Sequence, residues 1–274
     1  MIKKHVIIDT DIGGDPDDFV ALILALNNDN IIIDLIITNE ENNGCRASLV
    51  KNILQLTNND YIKIVQGVDT ASSFFMLDFK RDDTIKDNYI EEINNVIKKY
   101  EKTYYIGIGS LTNLSNYLKN CKIIPSIELV QMGGSANRRE HNFNLDYNAT
   151  KYVFSQDIKI TLITSEITNN EKILITSSSP LYNIIQNSDS EVIKLLFLNI
   201  INFDVPFFLH DPLTLSYIIN DDFLIFQPAK LSFLNSGEIM YNKCFESNIK
   251  ISISAKYNQF IDYVYQIFNS LSFK

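Results

Sequence analysis

The chain has 274 residues, 46% of them hydrophobic, with a formal net charge of −9 and a pI near 4.9. That acidity weighs against a polyanionic partner, because nucleic-acid affinity rests on neutralising phosphates with Lys and Arg. The length suits one domain over 1–274, and no apolar run approaches the ~20 residues of a membrane span, so a soluble, cytoplasmic protein without a membrane partner is expected.

Met-Ile-Lys-Lys-His runs directly into a short buried strand, His5 to Ile8, rather than into the apolar segment of a signal peptide. The strand ends in Asp9-Thr10-Asp11-Ile12-Gly13-Gly14-Asp15-Pro16-Asp17-Asp18, which places five carboxylates within ten residues, before a nearly all-apolar helix, Phe19 to Leu26. Two carboxylates ~5 Å apart repel by roughly 3 kcal/mol at an effective dielectric of ~20. No Lys or Arg lies between Lys4 and Arg46 to relieve them. Acids at a strand's carboxyl end and a helix N-terminus occupy the place where open α/β sheets bind ligands, and an all-oxygen set favours Ca²⁺ or Mg²⁺ over zinc. Helix capping accounts for one or two of these acids but not for the set.

Further along, Ile31 to Thr38 reads as a strand, Ala47 to Leu56 as a helix, Tyr61 to Val65 as a short strand and Ile90 to Tyr100 as a helix. Thr103 to Ile108 is a strand ending at Gly109, and Leu114 to Leu118 opens a helix. Ile127 to Met132 is a strand followed by Gly133-Gly134 and a polar loop; a helix around Ala149 to Phe154 and a strand, Ile158 to Ile163, come next. Ile173 to Leu209 reads as mostly helical, Lys230 to Phe245 with Ile249 to Ser254 as a β-hairpin region, and Tyr257 to Leu271 as a final helix. This alternation implies an α/β fold with an open, mainly parallel, Rossmann-like sheet flanked by helices. Cys45, Cys121 and Cys244 are odd in number and widely spaced, which indicates neither a disulfide framework nor a zinc site.

Three more polar segments follow apolar runs: Ile108-Gly109-Ser110-Leu111-Thr112-Asn113, the stretch from Met132-Gly133-Gly134 to Glu140-His141-Asn142-Phe143 and Asp146, and Leu209-His210-Asp211-Pro212-Leu213. Each alone reads as a cap, a loop or a turn. Together with the acid cluster they resemble, in order, the inosine/uridine-preferring nucleoside hydrolase family, and the region from Lys230 to Glu238 extends the likeness.

The resemblance implies Ca²⁺-dependent hydrolysis of the N-glycosidic bond of a small-molecule ribonucleoside, in nucleoside salvage, by a homodimer or homotetramer. It implies that Asp11, Asp18 and Asp211 hold the ion with the backbone carbonyl of Ile108. Asp11 is the implied general base toward the attacking water, and His210 the residue nearest the leaving base. Asp17, Glu140 and Asn142 are implied to hold the ribose hydroxyls, with Asn42 as a further candidate, Asp9 as support and Asp146 as an orienting carboxylate. The sequence departs from the family at the acid turn, which is two residues longer, so Asp15 competes with Asp17 or Asp18 for a role. The short loop from Gly134 to Glu140 leaves Asn137, Arg138 and Arg139 as substitutes for a sugar-gripping Asn, and no His-Gly loop is found in Val68 to Asp87. The base stays open among purine, pyrimidine and 7-deazapurine, with aromatics in Ser72-Ser73-Phe74-Phe75-Met76 available to stack on it. Two alternatives stand beside this reading: a phosphatase of the haloacid-dehalogenase type, with Asp9-Thr10-Asp11 as its nucleophile region, and a nucleoside- or ribose-binding module without turnover.

Overall fold

The computed structural model describes residues 3–70, 74–234 and 238–271. Six strands form the parallel part of its main sheet: β1 (Lys4–Thr10), β2 (Ile31–Thr38), β3 (Ile64–Gln66), β4 (Thr103–Gly107), β5 (Ile127–Met132) and β6 (Lys159–Ile163). Their spatial order is β6-β5-β4-β1-β2-β3, so β1 is flanked by β2 and β4 and the direction of winding reverses beside it. Such a switch point opens a crevice at the carboxyl ends of the strands. Asp9, Thr10 and Asp11 emerge there.

The helices on the connections are α1 (Asp17–Leu26), α2 (Cys45–Leu56), α3 (Tyr89–Lys99), α4 (Thr112–Lys119), α5 (His141–Leu145), α6 (Tyr147–Phe154) and α7 (Ser165–Thr168); α8 (Pro180–Gln186), α9 (Glu191–Phe203), α10 (His210–Ile219) and α11 (Tyr257–Ser270) follow. Strand side chains alternate between two cores, as a period of two requires. Val6, Ile8, Ile36 and Val130 join residues of α1, α2 and α8 to α11, whereas Ile7, Leu35, Ile37 and Leu129 join residues of α3, α4 and α6. Helix α1 is buried from Asp17 to Ala25 and packs against α10, as its apolar character on every side demands. Each fully buried Ile or Leu contributes roughly 1.5–3 kcal/mol, so the helix that carries Asp17 and Asp18 is held rigidly.

Four expectations shift in detail. The Tyr61 to Val65 strand is only β3, because Ile62 closes a turn onto the carbonyl of Asn59 at 2.9 Å. The Ile173 to Leu209 region holds α8 and α9 but is bracketed by β7 (Leu174–Ile175) and β8 (Phe207–Phe208), a separate antiparallel pair. The polar loop after Gly134 contains α5. The hairpin region begins earlier than Lys230: β9 (Leu224–Phe233) runs antiparallel to β10 (Ile239–Lys243) and β11 (Ile249–Ala255), and β11 joins β6 in parallel. Pro228 obscured that start, yet it lies before the stretch that pairs with β10, where a missing N–H is tolerated. Asn235 to Gly237 lie outside the described residues.

Candidate active site

The floor of the crevice is acidic. Asp17 and Asp18 stand in the first turn of α1 and Asp211 in the first turn of α10, and one carboxylate oxygen from each lies within 4.8 Å of the others. The Asp211 backbone N–H donates to Asp17 at 3.1 Å, and the Thr10 hydroxyl donates to Asp18. Burial raises all three carboxyls well above the usual carboxylate range, and mutual repulsion adds to the rise. Among the described residues no Lys or Arg forms an ion pair with any of them. Three buried carboxylates converging without a cation fit a divalent ion, and their oxygens suit a hard one. Asp11 stands at the edge of this trio, with Oδ1 only 3.0 Å from where a Cβ on Gly109 would lie. Asp15 joins the lining, its carboxyl raised to about 7 by burial.

The longer acid turn is shaped by Gly13, whose φ of +95° favours glycine and where a Cβ would meet the Phe75 ring at 2.4 Å. Beneath it lies Arg46, fully buried. Its Nη1 donates to the carbonyls of Asp11 and Ile12, the latter at 2.7 Å, its Nη2 to that of Phe74 at 2.6 Å and its Nε to that of Glu40 at 3.0 Å. One guanidinium therefore ties the turn, the end of β2 and the segment at Phe74 together. The sequence marks Arg46 only as the next cation after Lys4; an Arg opening an apolar helix is its one local signal.

Asp9 is held differently. Its carboxylate accepts from the Tyr105 hydroxyl at 2.5 Å, the Asn113 amide at 2.9 Å and the Asn39 amide at 3.2 Å. Burial raises its pKa to about 7 against the pull of these donors. From Asn39 the network continues through the Ser110 and Thr112 hydroxyls to Asp146, which caps α6 by accepting from the Ala149 N–H at 2.9 Å. Asn39 and Tyr105 are residues that sequence reasoning missed, since nothing local distinguishes them from turn and strand residues; Asn113 belongs to the polar segment after β4, but its sequence gives no sign of a bond to Asp9.

Above the floor is a cavity of about 370 Å³. Of the candidate residues, Asp11, Asp17, Asp18, Ile108, Glu140, Asn142, His210 and Asp211 all line it. Glu140 caps α5, accepting from the backbone N–H groups of Asn142, Phe143 and Gly134 at 3.1, 3.0 and 3.0 Å; its pKa is raised by burial, which these donors oppose. The Asn142 amide donates to the carbonyls of Ile108 and Met132, both at 3.3 Å. His210 Nδ1 lies 2.7 Å from the Thr168 hydroxyl, and burial lowers its pKa to about 4, with Arg138 adding to the effect. Phe74 and Phe203 meet edge to face at 6.2 Å on the cavity wall, and Arg138 and Arg139 stand exposed on its lining. Ser72 and Ser73 of the aromatic segment lie outside the described residues. Asn42 is not in the lining: its backbone N–H is bonded to Glu41 and its side chain to Asn43. β2 ends at Thr38, four residues before Asn42, and Asn39, directly after the strand, is the residue whose amide reaches Asp9.

A family model described as inosine-uridine preferring nucleoside hydrolase matches residues 6–262. The chain belongs to this family. A probable ribonucleoside hydrolase of Dictyostelium discoideum is 31% identical over 144 residues, a match covering 44% of this chain and 41% of that protein. The match thus spans less than half of the relative. Among solved structures, a purine-preferring ribonucleoside hydrolase from Gardnerella vaginalis superposes with a TM-score of 0.79 at 16% identity, covering 97% of this chain and 98% of that one. An inosine-uridine preferring nucleoside hydrolase from Bacillus anthracis gives 0.75 at 19% identity, with 98% and 100% covered. These likenesses establish that the chain has the nucleoside hydrolase fold, an α/β architecture with a mainly parallel sheet.

Proposed function

We propose that this nucleoside hydrolase family member cleaves the N-glycosidic bond of a ribonucleoside, yielding ribose and free base. The observation that carries the reading is the buried convergence of Asp17, Asp18 and Asp211 beside Asp11, with no Lys or Arg ion-paired to the trio among the described residues, on the floor of a cavity that suits a small ligand. Asp11, Asp18 and Asp211 with the Ile108 carbonyl would hold Ca²⁺, which when bound supplies positive charge for a vicinal diol and acidifies water.

In this reading Asp11 takes a proton from the water that adds to C1′, while the bond from C1′ to the base nitrogen breaks and that nitrogen takes a proton from solvent, to which Asp11 afterwards releases its own. The sugar passes through oxocarbenium character, as in other glycoside hydrolyses. Asp17 and Asn142 orient the ribose hydroxyls, and Glu140 offers lone pairs left over from its three backbone donors. His210 is neutral at physiological pH on its lowered pKa, so it serves the base as a hydrogen-bond partner through Nε2 while Thr168 engages Nδ1. Phe74 and Phe203 supply an apolar wall for a flat ring. Purine, pyrimidine and 7-deazapurine ribosides, with a role in salvage, fall within this proposal. So do a cytoplasmic setting, supported by three unpaired thiols, and a homodimer or homotetramer, supported by exposed Met240, Tyr241 and Phe245 around β10.

The test is a panel of ribonucleosides, modified ones included, incubated with Ca²⁺ and assayed for reducing sugar against Asp11→Ala and against chelated enzyme. Sugar release by calcium-loaded wild type alone is the expected result. Binding of a riboside with no sugar released from any member would replace hydrolysis by a binding role.

A further inference from the structure

Glu40 takes no part in the reaction proposed above, yet its setting is unusual. It stands just after β2 with φ of +47°, a backbone region costly for a residue with a Cβ. Only 7% of it is exposed, and its Oε1 is buried with no hydrogen-bond partner. A carboxylate oxygen of Glu40, one of Asp11 and a ring nitrogen of His141 all lie within 4.8 Å of one another. They come from three separate places: the end of β2, the end of β1 and the first residue of α5.

Simpler ways of satisfying this group do not fit. A proton shared between Glu40 and Asp11 would make a short hydrogen bond, and Oε1 has none. Arg46 is the nearby guanidinium, but it donates to the backbone carbonyl of Glu40. An orphaned buried carboxylate oxygen carries a desolvation penalty that a cation would offset.

We propose that Asp11, Glu40 and His141 form a second divalent-cation site, which shares Asp11 with the calcium site and takes a zinc-class ion. An imidazole nitrogen with two carboxylates is a borderline donor set, whereas calcium selects oxygen. Bonds of about 2.0–2.2 Å call for donors somewhat closer than the present spacing. His141 is exposed, so its ring can supply the closing movement. Three protein ligands leave a coordination position open toward the cavity, which both Asp11 and His141 line. The proposal rests on the preceding reading only where it gives Asp11 to the calcium site.

The full chain, equilibrated with excess Ca²⁺ and one equivalent of Zn²⁺, then desalted and subjected to elemental analysis, tests it. Wild type should retain one zinc per chain beside calcium. Glu40→Gln and His141→Ala should each bind zinc at least about tenfold more weakly while retaining calcium, which reports an intact fold. Should Glu40→Gln fail to fold, the exposed His141→Ala still decides. Asp211→Asn should lose calcium and keep zinc, so failure of the calcium reading shows separately. Wild type that retains no zinc, or zinc held equally by wild type and His141→Ala, would overturn the second site.

Discussion

Asp9 and Asp211 are both buried aspartates at the carboxyl edge of the same sheet, and their surroundings differ. Asp9 receives three neutral side-chain donors, one each from Asn39, Tyr105 and Asn113. Asp211 faces Asp17, Asp18, Asp11 and Asp15, each of which pushes its pKa further up after burial has raised it. A carboxylate with its lone pairs satisfied by fixed amides and a phenol holds neighbouring elements in place. Carboxylates crowded together and short of donors form a receptor for positive charge.

The largest effect should follow from emptying that receptor. Asp211→Ala is expected to lower kcat/KM for sugar release on the order of a thousandfold, the kinetic equivalent of losing several kcal/mol of charge stabilisation, with a matching loss of calcium affinity in a titration. Retention of activity within about tenfold of wild type would remove the distinction between the two kinds of aspartate. A stability effect of the same origin should depend on pH. A carboxyl whose folded pKa lies above its unfolded value destabilises the fold once both states are ionised. Asp15, raised to about 7, and its raised neighbours should therefore make the metal-free protein gain stability as pH falls from about 7 toward about 4, and lose it as pH rises through about 7. Calcium should raise Tm more at about pH 8 than at about pH 5.5 in paired melts with and without chelator; equal increments would mean that the acids do not bear the ion.

The receptor was legible in the sequence and the scaffold was not. Asp9 to Asp18 is a local run whose charge density stands out without any structure, and the apolar pattern after it dictates α1. Asp211 is linear with His210 and Pro212, so it too could be placed at an apolar segment's end. The partners of Asp9 are far apart in the chain: Asn39 directly follows β2, Tyr105 lies within β4, and Asn113 stands in the first turn of α4. Each is brought to Asp9 only by the β2-β1-β4 pairing, and an Asn near a strand's end is ordinarily a turn residue. Short α5 escaped because five residues show no helical period, although Glu140 followed by Asn142 and Phe143 proves to be its cap.

Arg46 belongs to the scaffold although it carries a full charge, and it tests how far the separation extends. Arg46→Met keeps the bulk and removes donors from the four carbonyls of Asp11, Ile12, Phe74 and Glu40. Leaving buried acceptors unpaired costs about 1–3 kcal/mol each in the worst case, and partial relaxation brings the expected total to about 3 kcal/mol, measured by denaturant unfolding. Because Arg46 also opposes the upward shift of Asp18, metal-free Arg46→Met should lose proportionally more at high pH than at low.

The smallest expected effect makes the sharpest comparison. Tyr105→Phe deletes one donor to Asp9 and nothing else, since the ring is fully buried in the core beneath α3, α4 and α6. The Tyr105 hydroxyl has its pKa raised well above the ordinary phenol value by burial, with the charge on Asp9 adding to it, so it stays protonated and donates. Its loss leaves Asp9 with two amides, at a cost of about 1–2 kcal/mol to stability. Calcium affinity should be nearly unchanged, because Asp9 spends its carboxylate on side-chain donors from Tyr105, Asn113 and Asn39 and is not among the residues proposed to hold the ion. A large fall in calcium affinity with little loss of stability would place Asp9 among the ligands and merge the two groups of carboxylates into one.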